Sequence, residues 1–172
     1  PPGVRENGGQ YSHAGVWALM AQAQRGDGDA AYRYFTYLSP AHRTAHPTRG
    51  PAYGIEPYVM AGDVYTQPPY VGRGGWSWYT GAAAWLYRAA IESIFGLQQR
   101  DGSLTFKPCL PSHWQHADMT VRRGGHTLHF KLCRPAATLE MAQASGQGAI
   151  VLQPGEAVRW NELGPETWFL IP

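Results

Sequence analysis

The first half of the chain has the spacing of hydrophobic and polar residues that amphipathic helices show. Between residues 13 and 25 the apolar positions recur every three or four residues, which predicts a helix with one buried face. A second helix is expected to follow, with Asp29 as its N-cap and with Tyr32, Phe35 and Leu38 on one face.

Prolines and glycines then interrupt the helical pattern. Pro40 and the sequence HPTRGP at 46–51 predict a loop, and the EPYV segment at 56–59 predicts a short helix or turn. The longest helix is predicted from Trp76 to Phe95, with Gly96 just after its C-terminus. Its buried stripe would consist of residues at helical intervals, namely Trp78, Ala82, Trp85 and Ala89.

The pattern changes near residues 96–104, after which short apolar or alternating segments are separated by Gly or Pro. These segments are SLTFKP (103–108), MTVRR (119–123), HTLHFKL (126–132), ATLEMA (137–142), AIVLQP (149–154) and TWFLIP (167–172). They predict a sandwich or barrel, with hairpin turns at Gly124–Gly125 and around Ser145–Gly146. Helices followed by strands indicate an α+β chain of two units, which we place at 1–98 and 99–172.

The composition narrows the function classes. Hydrophobic residues make up 44% of the 172 positions, so a packed core is expected. The net charge of +2 is too small to indicate a nucleic-acid partner. The sequence contains no run of about 18 apolar residues, so we expect no membrane contact by this segment. The 7 Trp and 10 Tyr favour carbohydrate as the ligand class, because flat apolar rings with polar edges match sugar rings, although a large core could also use them.

Cysteine and histidine spacings give no sign of a metal. Cys109 and Cys133 fit no zinc or thioredoxin pattern, and two thiols are a more common outcome than one disulfide, which favours a reducing compartment. Three histidine pairs lack carboxylates or thiols at ligand spacing; they are His42/His46, His113/His116 and His126/His129. We therefore expect neither a metal nor a bound cofactor.

The first candidate site is RENGGQYSH, residues 5–13. Gly8 and Gly9 let the backbone approach a ligand closely, and His13 at the start of a helix can hold an anion. The alternative is an Arg–Glu pair followed by a capping loop.

The second candidate site is GRGGWSWYTGAAAW, residues 72–85. Thr80 and Gly81 offer a hydroxyl and an unhindered N–H to an oxyanion, and Arg73 adds a positive charge nearby. Trp76 and Tyr79 could stack on a sugar, whereas Trp78 is expected in the core. The alternative is a loop that enters a buried helix.

The third candidate is Glu56, which Pro57 holds in an extended conformation. A carboxylate on such a rigid corner can bind sugar hydroxyls. A carboxylate at a helix start, favoured by the helix dipole, explains the residue equally well.

Four ordered motifs together resemble the C-terminal part of the cellobiose and chitobiose phosphorylase family, glycoside hydrolase family 94. The motifs are PPGVRENGGQYSHAGVWAL, YGIEPYVMAGDVYT, GRGGWSWYTGAAAWLYRAAIESIFGL and FKPCLPSHW. Within the family the chain is most similar to the phosphorylase-like domain of cyclic β-1,2-glucan synthases. The resemblance implies the last helices of an (α/α)6 barrel followed by a β jelly roll. It also implies cleavage of a β-glucan oligosaccharide by inorganic phosphate with inversion of configuration.

The resemblance also assigns roles to particular residues. It makes His13, Thr80 and Gly81 phosphate ligands. The residues expected to bind the sugar are Glu6, Gln10, Glu56, Arg73, Trp76 and Tyr79. Where several family members carry a Gln that assists phosphate, this chain has Ala61 and Gly62.

The general acid of the family, an Asp, is expected upstream of residue 1, as is a phosphate-binding Arg. We therefore expect no catalytic residue in this chain, no activity of the chain by itself, and dependence on the rest of a longer parent. The expected location is cytoplasmic, with the parent anchored in the bacterial inner membrane. The competing classes are a non-catalytic carbohydrate-binding module, which would expose Trp114, Trp160 or Trp168, and a scaffold piece without a ligand.

Overall fold

The computed structural model describes residues 1–133 and 149–172. The described chain forms two compact units, Pro1–Ala90 and Ile91–Pro172. Helices and a small sheet make up the first unit, and strands dominate the second. The predicted α+β class is therefore confirmed.

The first two helices, α1 (Ser12–Gln24) and α2 (Gly28–Leu38), pack against each other. Val16 and Leu19 of α1 are fully buried, as the spacing predicts. The predicted N-cap of α2 is wrong, because Asp27 rather than Asp29 caps this helix. The Asp27 carboxylate accepts the N–H of Ala30 at 2.9 Å, and Asp29 is the second residue of the helix, within its first turn.

The segment after α2 is helical where a loop was predicted. It contains α3 (Pro40–Ala45) and α4 (Arg49–Tyr53). Pro40 is the first residue of α3, where a missing N–H costs no hydrogen bond and the fixed φ suits a helix. Proline therefore starts this helix instead of preventing it.

A three-stranded antiparallel sheet joins distant segments of the first unit. Its strands are β1 (Gln10–Tyr11), β2 (Asp63–Val64) and β3 (Gly74–Gly75), in the order β1-β2-β3. Two-residue strands, one of them Gly-Gly, leave no alternating pattern to find in the sequence. The sheet brings the RENGGQYSH, AGDVY and GRGGW segments side by side.

The long predicted helix begins four residues later than expected. It consists of α5 (Thr80–Arg88), continued by a π-helical segment Ala89–Ile94. Trp76 and Trp78 have φ values of 45° and 59°, which excludes both from a right-handed helix. The prediction that Trp78 belongs to the core is wrong, because 66% of its surface is exposed.

The second unit contains two sheets in its described part. The strands are β4 (Leu97–Arg100), β5 (Ser103–Phe106), β6 (His116–Arg123), β7 (His126–Cys133), β8 (Ile150–Val151), β9 (Ala157–Arg159) and β10 (Glu166–Ile171). One sheet has the order β6-β7-β10-β8 and the other β4-β5-β9. Gly124 and Gly125 form the predicted two-residue turn, with φ values of 57° and 83°. The predicted strand at 137–142 and the turn at Ser145–Gly146 lie outside the described residues.

Both sheets contribute to one hydrophobic core. Leu104 and Phe106 of β5 pack in the same buried cluster as residues of β7 and β10. At its centre the Phe130 ring lies 4.5 Å from the Phe106 ring and stacks at 5.0 Å on the Phe169 ring.

In the ranges that the structure describes, no helix is long and apolar enough to cross a membrane.

Candidate active site

The centre of the candidate site is the contact between His13 and Gly81. His13 is the second residue of α1 and Gly81 the second residue of α5. A Cβ atom added to Gly81 would lie 3.0 Å from Nε2 and 3.3 Å from Cε1 of His13. The imidazole therefore rests directly on the first turn of α5, and the missing side chain of Gly81 makes room for it.

The N-terminus of α5 has the properties of an anion-binding site. Its N-cap residue, Tyr79, makes no side-chain capping hydrogen bond, and the first turn contains no acidic residue. The first N–H groups of a helix have no partner within the helix, and they lie at the positive end of its dipole. The exposed residues Thr80 and Gly81 add a hydroxyl and unhindered backbone to this end of the helix.

Three aromatic rings hold the His13 imidazole. The Tyr79 ring meets it edge-on at 5.2 Å, the Tyr11 ring lies 5.5 Å away, and the Trp17 ring lies at 6.5 Å. The Nδ1 atom is buried and has no hydrogen-bond partner among the described residues. Because Nδ1 is enclosed, Nε2 is the ring nitrogen that faces the α5 terminus.

The two tyrosines beside His13 are joined to each other. Their hydroxyl oxygens lie 3.2 Å apart, at hydrogen-bonding distance. This hydrogen bond to Tyr79, together with burial, raises the pKa of Tyr11. The Tyr11 hydroxyl therefore stays protonated at neutral pH and contributes no negative charge beside the candidate anion site.

A cleft of about 560 Å³ lies next to this cluster. Its lining includes Arg5, Glu6, Asp63, Tyr65 and Trp76. The Arg5 guanidinium carbon lies 4.3 Å above the centre of the Trp76 ring, a cation–π arrangement. Trp76 exposes 59% of its surface.

Trp76 connects the cleft with the His13 cluster. Its ring lies 5.3 Å from the Tyr79 ring, which in turn contacts His13. The cleft therefore offers an aromatic ring, a guanidinium and a carboxylate next to the candidate anion site.

Arg5 has a strained backbone that Asp63 stabilises. Its φ of 49° is left-handed, a conformation that costs a non-glycine residue roughly 1–2 kcal/mol. The Arg5 N–H donates to Oδ2 of Asp63 at 2.5 Å, and Asp63 is 1% exposed. Since a hydrogen bond to a charged acceptor contributes roughly 1.5–3 kcal/mol, this one bond offsets the strain.

Not all of the remaining predicted sugar ligands contact the His13 cluster or line the cleft. Gln10 accepts a hydrogen bond from Nη2 of Arg43 at 2.5 Å. Glu56 is exposed, and its carbonyl accepts the N–H of Val59 at 3.1 Å in a turn.

Arg73 lies with its guanidinium carbon 5.5 Å from the centre of the Tyr70 ring. Among the described residues, neither Glu56 nor Arg73 makes a hydrogen bond or ring contact with His13 or Gly81. Their assignment as sugar ligands stays a prediction.

Ala61 and Gly62, where the family resemblance leads us to expect a Gln, lie beside the start of α1. Ser12 donates its hydroxyl to the Ala61 carbonyl at 2.7 Å and its N–H to the Gly62 carbonyl at 2.9 Å. A Cβ at Gly62 would lie 3.4 Å from the Tyr79 ring. Here the backbone of 61–62 fixes the residue that precedes His13.

The sequence interpretation missed several residues of this cluster. Trp17 follows His13 by four positions, which places both on one face of α1, so helical spacing could have indicated it. Tyr11 and Asp63 gave no such signal, since their contacts depend on pairing between β1 and β2. In the described ranges, no three His, Cys, Asp or Glu side chains are grouped as metal ligands would be.

Comparison with known proteins decides the family. Residues 1–96 match the glycosyl hydrolase 94 superfamily catalytic domain, and this match covers more than half of the chain. The chain belongs to the glycosyl hydrolase 94 superfamily. Residues 97–159 of this glycosyl hydrolase 94 chain match the C-terminal domain of glycosyl hydrolase family 65.

Individual relatives support the same assignment. The chain is 43% identical over 140 residues to cyclic beta-(1,2)-glucan synthase NdvB of Rhizobium meliloti (strain 1021), a match that covers 81% of the chain and 5% of the relative. It is 31% identical over 163 residues to N,N'-diacetylchitobiose phosphorylase of Vibrio furnissii, which covers 91% of the chain and 18% of that enzyme. Solabiose phosphorylase of Paenibacillus borealis is 32% identical over 126 residues, 72% of the chain and 16% of the enzyme. The glycosyl hydrolase 94 chain thus spans less than a fifth of the length of each of these relatives.

Proposed function

We propose that this chain supplies the phosphate-binding turn and part of the sugar cleft of an inverting glycoside phosphorylase-type domain. The observation that carries the proposal is the His13 imidazole resting on the uncapped N-terminus of α5. An imidazole nitrogen, a hydroxyl and several backbone N–H groups can then converge on one oxyanion.

In the proposed reaction, inorganic phosphate is the nucleophile and no other cofactor is required. A phosphate oxygen forms a bond to the anomeric carbon on the face opposite the glycosidic oxygen, and the bond to that oxygen breaks. A general acid from the upstream part of the parent donates its proton to the departing oxygen. The products are an α-configured sugar 1-phosphate and a glucan that is one residue shorter.

The contribution of this chain is electrostatic. Phosphate is already anionic and needs no general base, but it must be held against its repulsion by other negative charge. Helix N–H groups and a histidine N–H aimed at the phosphate oxygens provide this stabilisation without reorganisation during the reaction.

We further propose that the substrate is a β-1,2-linked glucan and that the parent is a cyclic β-1,2-glucan synthase. Support comes from the 43% identity to a protein of that name. The phosphorylases among the relatives support phosphorolysis as the reaction type. On this proposal the domain acts in the cytoplasm as part of a parent held in the inner membrane.

The finer fold assignment belongs to the same proposal. Residues 1–98 would be the closing helices of an (α/α)6 barrel, and residues 99–172 a β jelly roll. The two family matches, which meet between residues 96 and 97, support this division.

The distribution of exposed aromatics does not favour a separate carbohydrate-binding module. Trp114 and Trp160 are half-buried and pack against the core of the second unit, and Trp168 is half-buried as well. The exposed tryptophans of the described chain, Trp17, Trp76 and Trp78, lie in the first unit.

The proposal is tested by His13→Ala in the full-length parent. Losing a charge-assisted hydrogen bond to phosphate costs roughly 1.5–3 kcal/mol, so we expect the KM for phosphate to rise about 10- to 150-fold. His42→Ala is the matched control, because His42 lies in α3 and contacts Tyr32 and Phe35 instead. An unchanged phosphate dependence in His13→Ala would show that His13 serves only the packing of α1.

A further inference from the structure

The buried carboxylate of Asp63 has no role in the proposed phosphate site. Only 1% of the residue is exposed, although it lines the sugar cleft. Burying a carboxylate is unfavourable unless its oxygens accept hydrogen bonds or pair with a positive charge. Its described hydrogen bond is to the backbone N–H of Arg5, a residue 58 positions earlier in the chain.

The packing around Asp63 fixes the carboxylate in one position. Asp63 lies in β2, paired with Tyr11 on one side and with Gly75 on the other. A Cβ at Gly75 would lie 2.6 Å from Oδ1 of Asp63, so only glycine leaves space for the carboxylate there. Oδ2 therefore points to the Arg5 N–H from a rigid strand.

The hydrogen bond that Asp63 accepts from the Arg5 N–H helps to determine where the Arg5 side chain lies. It holds Arg5 in a left-handed conformation, with φ of 49°, that a non-glycine residue rarely adopts. In this conformation the guanidinium carbon lies 4.3 Å above the centre of the Trp76 ring. Trp76 is itself left-handed, with φ of 45°, so both partners of the stack depend on a backbone that the neighbouring residues must hold.

We propose that Asp63 is a positioning residue for sugar binding, which holds Arg5 against Trp76 so that the pair forms one wall of the glucan cleft. The pair offers a sugar ring the donor groups of a guanidinium beside an aromatic ring. Asp63 touches neither the sugar nor the phosphate and acts through the Arg5 backbone. This inference rests on the proposed function, since it assigns a sugar to the cleft.

Substitutions of Asp63 in the full-length parent separate this role from a general structural one. Asp63→Asn keeps an oxygen acceptor for the Arg5 N–H, whereas Asp63→Ala removes it. Asp63→Glu keeps the charge but moves the carboxylate by one methylene. Asp27→Ala is the matched control, because it also removes a carboxylate that accepts one backbone N–H, at the start of α2.

The readouts are binding of a β-1,2-linked glucose tetrasaccharide by calorimetry without phosphate, and the KM for phosphate. We expect Asp63→Ala to weaken tetrasaccharide binding about tenfold or more and Asp63→Asn to stay within about threefold of wild type. The KM for phosphate should stay unchanged in both variants. Asp27→Ala should lower the melting temperature and leave tetrasaccharide binding intact.

Three results would overturn the inference. They are wild-type affinity in Asp63→Ala, equal losses in Asp63→Ala and Asp63→Asn, and absence of tetrasaccharide binding by the wild type. If Asp63→Ala does not fold, the comparison of Asn with Glu decides, because only loss of affinity in Glu with retention in Asn supports positioning by the acceptor. A wild-type enzyme that binds the tetrasaccharide but makes no sugar phosphate would refute the proposed function and leave the Asp63 test intact.

Discussion

Replacing Gly81 by alanine should separate helix stability from phosphate binding. Gly81 lies in the first turn of α5, and its φ is not among the positive values of the chain. An alanine can adopt this conformation, and exchange of Gly for Ala in a helix stabilises by roughly 0.5–1 kcal/mol. By helix propensity alone, Gly81→Ala should raise the melting temperature or leave it unchanged.

The added methyl group nevertheless meets the imidazole. Its Cβ would lie 3.0 Å from Nε2 of His13, whereas carbon contacts are favourable at about 3.5–4.0 Å. The ring must move by a few tenths of an ångström or more, away from the helix terminus where phosphate is proposed to bind. If most of a charge-assisted hydrogen bond is lost, about 1.5 kcal/mol, the KM for phosphate should rise roughly tenfold.

The assay is steady-state release of sugar 1-phosphate by the full-length parent as phosphate is varied, with calorimetric unfolding of the same samples. Ala84→Gly is the control, because this exposed position lies in α5 and does not belong to the His13 cluster. It should lower stability by about 1 kcal/mol and leave the KM for phosphate unchanged. A wild-type KM for phosphate in Gly81→Ala would refute the assignment of this turn to phosphate.

Three further outcomes are expected. Thr80→Ser should keep most activity, whereas Thr80→Val should weaken phosphate binding by roughly 1–3 kcal/mol. Stability should hardly change in either variant, because Tyr79 and not Thr80 is the N-cap of α5. A loss of stability with intact phosphate kinetics would contradict the assignment of Thr80 to the phosphate site. Phe130→Ala should reduce the free energy of unfolding by about 3–5 kcal/mol, since its ring is packed between Phe106 and Phe169, and calorimetry that shows a much smaller loss would contradict this core. The 172-residue chain alone should release no sugar phosphate from β-1,2-glucan above a buffer blank, because the general acid expected upstream contributes roughly 10²–10⁴ in rate; clear release would place that acid within the chain.

Local sequence patterns predicted the helices and turns whose signal lies within a few neighbouring residues. The spacing of apolar residues located α1 within one residue of its observed bounds, Ser12–Gln24, and Gly124–Gly125 located the hairpin between β6 and β7. The sequence also placed His13 at a helix start, whereas it placed Gly81 inside a helix predicted to begin at Trp76. The contact of these two residues across 68 positions could not follow from the local patterns, because it depends on how α1 packs against α5.

The wrong predictions have physical causes. The helical spacing extends back to Trp78 and Trp76, but both residues have left-handed backbones, so the helix begins only at Thr80. Such conformations are held by tertiary contacts, for example the hydrogen bonds from the Gly62 N–H to the carbonyls of Gly75 and Trp76. Likewise, nothing in AGDVY indicated that Asp63 is buried, since burial depends on a sheet of two-residue strands.

The central claim is that this chain holds inorganic phosphate as the nucleophile of a glycan-cleaving reaction. Phosphorus NMR of the full-length parent incubated with β-1,2-glucan and phosphate tests this claim most directly. We expect α-glucose 1-phosphate that forms only when phosphate is present, since attack opposite a β-linked leaving group inverts the configuration. Cleavage of the glucan at the same rate without phosphate, or formation of the β-anomer, would contradict it.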